Sequence, residues 1–418
     1  MQNRSIELIK KIFCKYSLFC FYSVLSFGQP KSKSAEPVLI PFRSGENWGL
    51  ATIEKKIVVE PSFLSVRFGS FNLYPVAIRC TSDCQNYPDG MWGFIDNNGM
   101  WKVPALYQEV QHFSEGLAAV KKQNRWGYVD EVGREVIGCS FDTVYPFFKT
   151  KAIVKSGENW FLIDKEGKRV TSLLYELIKP FSDECAAAKR GGKWGFLDAN
   201  GLEVIASRFH DVSNFKEGIA VVEYNTRYLL INLIGKTLET DQEFDYVGDF
   251  QEGYAVTLKS GHLGFIDQDG NTFIPNIYIK PPNLEAYPSF SSGIAAVPIG
   301  GKWGYVDVNG KELGKLFDKA RNFHGELAPV KQGLLWGYIN RKGRVVIPFQ
   351  FDDAWEMRNE SAIVCKNNLY GLIKPDGSEI TPIKYNYIER LIDRPDLFKT
   401  IINNKICIVN NKGVEFCD

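Results

Sequence analysis

An aromatic residue followed by glycine returns along this chain at a step close to thirty-four residues. The well-kept copies are Trp48-Gly49, Trp92-Gly93, Trp126-Gly127, Trp194-Gly195, Trp303-Gly304, Trp336-Gly337 and Tyr370-Gly371. Worn copies at Trp160-Phe161, Tyr228-Leu229, Leu263-Gly264 and Ile406-Cys407 bring the number to eleven. Five of the ten steps are 34 residues, and two more are 35 and 33. A fixed period of this length means stacked supersecondary units, each burying its apolar face against the next. A chain of 418 residues therefore reads as one array rather than as two or three separate cores.

Each unit has four phrases. The first is an aromatic-Asp opening with an apolar residue and a second aromatic behind it, as in Phe141-Asp142…Val144…Phe147. A glycine turn and a short apolar strand follow, as in Glu115-Gly116-Leu117-Ala118-Ala119-Val120 or Glu217-Gly218-Ile219. The third phrase is the W-G strand, and the fourth is a hairpin turn with a returning strand. Phe113, Phe147, Phe181, Phe215, Phe250, Phe290 and Phe323 each stand 13 residues before the tryptophan slot.

These phrases are strands. They are short, rich in Val, Ile, Tyr and Phe, and bounded by Gly, Asp, Asn and Pro. The turn after the W-G strand reads [DN]-x-x-G in nine copies, from Asp96 and Asp130 through Asp307 and Asn340 to Asn410. Asp or Asn bonds the backbone two residues on, and the glycine takes positive φ without a steric penalty. Tryptophan supplies a large apolar body. The glycine after it suits a bulge or a close pass by a neighbouring backbone. Trp48, Trp92, Trp126, Trp160, Trp194, Trp303, Trp336 and Tyr370 are thus assigned as structural repeat residues. The expected fold is all-β: an open array of about eleven antiparallel hairpin units, coiled as a solenoid-like superhelix. Eleven units exceed the four to eight blades of ordinary propellers. The worn end units, with Leu391 and Ile406 in place of aromatics, read as caps.

The residues match a known pattern at this point. Lys193-Trp194-Gly195-Phe196-Leu197-Asp198 and Lys302-Trp303-Gly304-Tyr305-Val306-Asp307 resemble the WG repeat, or KWG repeat, of bacterial proteins, with consensus K-W-G-Y-I-D-x-x-G-K. The resemblance covers roughly residues 37–418. It implies a binding or scaffold module, often on an exported protein, with no shared chemistry. The copies at Tyr228 and Ile406 depart from the pattern.

Residues 1–28 resemble a secretory signal. Arg4, Lys10 and Lys11 precede an apolar run, and Ser26-Phe27-Gly28 offers a cleavage site before Gln29. The rival is an uncleaved anchor, although the run is short for a membrane span. Residues 29–36 read as a linker and 37–418 as the array. Export to the periplasm, the cell surface or the medium follows from that reading. Removing 1–28 takes four basic residues (Arg4, Lys10, Lys11, Lys15) and Glu7 from totals of 50 and 49, leaving 46 against 48. No basic excess remains to condense on a phosphate backbone, so nucleic acid is excluded as a general partner. Seven of nine cysteines remain, out of phase with the repeat. Cys80 with Cys84, or Cys407 with Cys417, are placed to form disulfides or to stay as thiols.

Catalytic chemistry finds little support. His112, His210, His262 and His324 fall in different phases without metal-ligand spacing. Asp267-Gln268-Asp269-Gly270 lacks the further acidic ligands of a calcium loop and reads as a turn. Lysine or arginine before W-G recurs at Arg125, Lys193 and Lys302, but Asn47, Met91, Asn159 and Leu335 share that slot, which makes it a solvated face. No nucleophile elbow, phosphate loop or zinc signature appears. The expectation is a protein that is not an enzyme, with no cofactor or metal and no membrane span after signal cleavage.

Departures from the period mark the candidate binding residues. The step from Trp48 to Trp92 is 44 residues, with Cys80, Cys84 and Tyr87 in its surplus at 79–90. The step from Leu263 to Trp303 is 40, with its surplus in 276–287 and Tyr287 at the end. Trp101 stands where other units carry Glu135, Arg169, Glu203, Glu312, Glu379 and Glu415. Either it is exposed for a partner, or a register shift turns it inward, since Lys102 follows in a slot that is apolar elsewhere. Trp101, Tyr87 and Tyr287 are the candidates. The expected partner is a protein or an envelope component. The rival function is a carbohydrate-binding module, with glycan stacked on surface aromatics.

Overall fold

The computed structural model describes residues 39–79, 90–284, 286–392 and 394–417. The segment 1–38 and most of the 79–90 insertion, with Cys80, Cys84 and Tyr87, lie outside the described residues. What is described is strand, turn and bend, with no helix.

The strands form eleven antiparallel sheets, each a meander in chain order. The sheet around Trp194 stands for the rest. A two-residue opening strand, Leu177–Ile178, pairs with Cys185–Arg190. That strand pairs with the W-G strand Lys193–Asp198, and the returning strand Glu203–Phe209 closes the sheet. The next opening strand, Asp211–Val212, begins two residues after Phe209. One stretch of chain therefore passes from each sheet directly into its neighbour.

The local chemistry follows the sequence. In the turn after the W-G strand, Asp307 accepts from the amides of Asn309 and Lys311 at 2.9 Å each, while Gly310 closes the turn at φ +73°. The glycine of W-G has a different reason. A Cβ on Gly195 would stand 2.4 Å from the carbonyl oxygen of Ile205, and on Gly127 2.4 Å from that of Ile137. The returning strand is bulged at this point, with register shifts on both sides of Phe196, and only glycine lets it pass so close.

Side chains join the sheets. The aromatic two residues past the tryptophan meets the phenylalanine of the following sheet: Phe94 with Phe113 at 4.8 Å, Tyr128 with Phe147 at 4.9 Å, Phe196 with Phe215 at 4.6 Å and Tyr305 with Phe323 at 4.9 Å between ring centres. Where that aromatic is tyrosine, its hydroxyl donates to a carbonyl of the next sheet, as Tyr128 does to Tyr145 and Tyr305 to Arg321, both at 2.7 Å. One buried cluster fills each space between neighbouring sheets. Trp194, Phe196, Ile205 and Phe209 pack with Val212, Phe215, Ala220 and Val222 in this way.

The array is closed, which corrects the expected open solenoid. Ile40 of the first sheet packs with Leu397, Ile408 and Phe416 of the last. Phe42, Leu391 and Val414 press on the same cluster. The described residues form a ring of eleven blades, a propeller larger than the ordinary four to eight. Leu391 is apolar because it lines this seam, not because it belongs to a cap. Cys407 and Cys417 are bridged across the seam sheet. Cys139, Cys185 and Cys365 are free thiols.

Three outcomes test this account. Trp194 is 7% exposed, so Trp194→Ala should cost about 3–5 kcal/mol; a denaturant midpoint shift worth less than about 0.5 kcal/mol would remove tryptophan from the core. Gly310→Ala should destabilise by about 1 kcal/mol through φ alone, because nothing lies within 4 Å of its Cβ position. Gly195→Ala should cost more, since backbone must move. Equal melting temperatures for the two variants would contradict the bulge argument.

The third outcome concerns acid. Burial on its own would raise the carboxyls of Asp96, Asp130 and Asp307, but the turn amides, together with Lys102, Arg134, Asn309 and Lys311, outweigh it and hold all three below their ordinary 3.8. A carboxyl depressed in the fold stabilises above its unfolded value and loses that contribution as pH falls through the folded one. Thermal stability should therefore fall progressively as pH drops below about 5. The triple change of these residues to Asn, the residue that makes the same turn at Asn340, should flatten the drop. An unchanged acid profile would show that other groups cause it.

Candidate functional site

Trp101 opens the returning strand Trp101–Tyr107 of the second sheet. It pairs with Ile95, the register in which Glu135 pairs with Val129 and Glu203 with Leu197. The strand carries the same bulge as the other returning strands and no additional slip turns Trp101 inward. Val103 is fully buried, as Ile137 and Ile205 are in their sheets. The slot of Lys102 is a wall position, since its counterparts Val136 and Val204 are exposed as well. Trp101 thus stands where six other sheets carry a charge, and keeps 42% of its surface open. One ring edge leans on Phe63 of the first sheet, with ring centres 6.0 Å apart. Met100 beside it is exposed, as is Ile57, the residue in the same slot of the first sheet. Lys102 reaches back to Asp96 at 3.3 Å. Trp101 and Met100 thus leave apolar surface at the start of an edge strand, beside the Lys102–Asp96 ion pair.

Tyr287 is placed differently. It stands sixteen residues before Trp303, the slot of Val144, Ile178 and Val212 before their own tryptophans or tyrosine. It is half-buried against the core shared by the seventh and eighth sheets and stacks on Tyr246 at 4.3 Å. Tyr246 in turn meets the edge of Tyr228 at 6.2 Å. Trp101 and Tyr287 are not brought together. Of the structural set, Trp92, Trp126, Trp160, Trp194 and Trp336 are buried, while Trp48, Trp303 and Tyr370 are half-buried.

Two recurrent devices were not read from the sequence. The first is a carboxylate ladder. In the glycine turn of the second phrase, Glu115 and Gly116 both take positive φ, as a two-residue hairpin requires. The acidic side chain then reaches the next sheet. Glu217 accepts from the amides of Glu252 and Gly253 at 2.7 and 2.8 Å, and Glu252 accepts from Ser292 and Gly293 at 2.7 Å each. Recurrence of an acidic residue before that glycine was the available signal.

The second device covers the tryptophan. The residue fifteen before it lies over its ring, Lys179 on Trp194 and Arg321 on Trp336 at 4.6 Å each; in the second sheet, lengthened by its ten-residue surplus, Arg67 stands twenty-five before Trp92 and lies over it at 3.9 Å. Tyr145 stacks on Trp160, and Trp355 tilts over Tyr370, each at 6.0 Å. The cations also donate to the opening strand of the following sheet, Arg67 to Val110 and Lys179 to Val212 at 3.0 Å. Burial pushes the Lys179 ammonium down, and Asp211 and Asp249 work against that.

The histidines do not converge. His324 is lowered by burial and then by Arg358. Among the described residues no three of His, Cys, Asp and Glu are grouped as metal ligands.

Comparison with known proteins agrees with the repeat. A family model described as "WG containing repeat" matches residues 92–126, 126–160, 160–194, 194–228, 264–303, 303–333 and 336–370. None of the curated proteins matches the chain. Among solved structures, a eukaryotic initiation factor is similar at 11% identity over 91% of this chain and 95% of its own, with a TM-score of 0.43. Apo AztD from Citrobacter koseri is similar at 12% identity over 66% and 92%, with a TM-score of 0.30. Kluyveromyces lactis Hsv2 is similar at 10% over 64% and 93%, with a TM-score of 0.27. These structures are too distant to inform the chemistry of this chain. Seven matched repeats spanning more than half of its length decide the family: the chain belongs to the proteins built from the WG containing repeat.

Proposed function

We propose that this ring is an exported, non-enzymatic binding scaffold, and that it holds another protein or an envelope component against its outer wall. The observation that carries the reading is Trp101. A large aromatic left 42% exposed in a slot that is charged in six other units gives up solubility without adding to the core. It also lies on an edge strand, where main-chain groups are open to pairing. Export rests on the signal-like residues 1–28. The scaffold reading draws on where the charged groups are used: Glu217, Glu252, Arg67, Lys179 and Arg321 tie one sheet to the next rather than converging on a reacting centre. The carbohydrate reading asks for off-phase aromatics gathered on one face. Trp101 stands on the second sheet and the partly open Tyr228 on the sixth.

A pull-down from an envelope extract with the chain from Gln29 onward tests this. The wild type should retain a protein that Trp101→Ala loses by about tenfold or more, since buried aromatic anchors dominate such contacts. The variant's denaturant midpoint should stay within about 0.5 kcal/mol of wild type, as for a surface change. Equal capture by both would move the binding face away from Trp101. Retention of polysaccharide alone would favour the rival.

A further inference from the structure

The sixth sheet lacks the cover that the second, fourth, fifth, ninth and tenth sheets place on their aromatic ring. Its aromatic is Tyr228, and the residue fifteen before it is Ser213. That hydroxyl is occupied locally, donating to Asn214 at 2.9 Å and accepting from Val221 at 3.0 Å. It is too short to lie on a ring. Tyr228 is 37% exposed, against 4% for Trp92 under Arg67, 7% for Trp194 under Lys179 and 5% for Trp336 under Arg321. The side chains around the gap are in place. Tyr246 meets Tyr228 at the edge, Tyr287 backs Tyr246, and Asp249 lies 3.0 Å from Lys216 with both half-exposed. None of the three tyrosine hydroxyls is bonded to another described residue, whereas those of Tyr128, Tyr305 and Tyr338 each donate to a carbonyl.

We infer that the vacant cover over Tyr228 is a receptor for an arginine side chain presented by a partner protein. The chemistry of the occupant is written in the other sheets. In the ninth, Arg321 lies on Trp336, donates to the carbonyl of Ala354 on the next opening strand and pairs with Asp353 at 3.1 Å. A guanidinium over Tyr228 would meet the ring and the carbonyl of Val247 on the next opening strand, and draw its carboxylate from Asp249, three residues beyond the slot of Asp353 and now paired with Lys216. Arginine fits better than lysine, because its planar, weakly hydrated head stacks on tyrosine and still donates in plane. The Tyr246 hydroxyl, pushed up by burial, then by Tyr287 and Asp249, stays a neutral donor at the rim. This inference rests on the scaffold reading and gives it a second contact, on another part of the ring from Trp101.

The test uses the full chain with 13C-labelled tyrosine rings, the Tyr228 signal being assigned with Tyr228→Phe. The probe is acetyl-Gly-Arg-Gly-amide, with its neutral citrulline counterpart as control. The arginine peptide should shift the Tyr228 and Tyr246 signals with millimolar affinity, and citrulline should bind about tenfold more weakly. Ser213→Arg fills the gap from within and should abolish the shifts while raising the melting temperature. Asp249→Asn, which leaves the backbone untouched, should weaken binding if Ser213→Arg fails to fold. Equal binding of citrulline, shifts that persist in Ser213→Arg, absence of shifts at millimolar peptide, or saturation of the same signals by maltohexaose instead would each overturn the inference. If the pull-down partner is captured equally by wild type and Ser213→Arg, this site is wrong while the scaffold reading stands.

Discussion

The contact between an aromatic of one sheet and the phenylalanine of the next sets the form of this molecule. A sheet of three or four strands cannot bury an apolar face by itself. Phe94 on Phe113, Phe196 on Phe215 and Tyr305 on Phe323 give each sheet its second side. Because the same two slots meet at each step, as ring pairs in five of them and with leucine or methionine in others, each sheet packs on the next in the same way. A repeated step either runs on as a helix or comes back on itself. Here it comes back, and Ile40 against Ile408 and Phe416 supplies the last contact that an open array would leave wet.

The polar groups follow from that packing. Once two sheets are pressed together, the hairpin amides at their ends face a neighbour instead of water, and an unpaired amide there would be costly. Glu217 and Glu252 meet this need from the preceding sheet. The glycine of W-G answers a different demand of the same packing. The returning strand must bulge to continue into the next sheet, and the bulge brings the Ile205 carbonyl against Gly195. Aromatic, glycine and acid therefore recur together because one geometry requires all three.

Local features of the sequence were legible, and features that depend on distant partners were not. Asp307-Val308-Asn309-Gly310 encodes its own turn, since donor, acceptor and φ all lie within four residues. Trp194 announces its burial through size and phase. Closure has no local code: Leu391 and Ile406 look like worn repeats until Ile40, more than three hundred residues away, is placed beside their sheet. The role of Glu217 was hidden for the same reason, because its partners stand thirty-five residues on. At Trp101 the alternatives stayed open because Lys102 was compared with Val136 and Val204 as though those were core residues. Both are exposed, and the slot beyond them keeps the register. Tyr287 was counted with an insertion, yet it fills the phase of Val144.

A ring built from one repeated contact has little freedom at the positions that make the contact. Variation is tolerated where a side chain faces outward or covers a neighbour from above. The cover over the tryptophan shows the range: arginine, lysine, tyrosine and tryptophan all lie on the ring at Arg67, Lys179, Tyr145 and Trp355. All shield the same apolar surface, so exchange among them leaves the sheet sealed. Serine at 213 does not shield it. The exposed face of Tyr228 and the exposed edge of Trp101 are thus two instances of one kind of departure, in which apolar surface that the repeat normally covers or avoids is left open. Neither departure strengthens the ring, and each leaves a surface whose missing cover can come from another molecule.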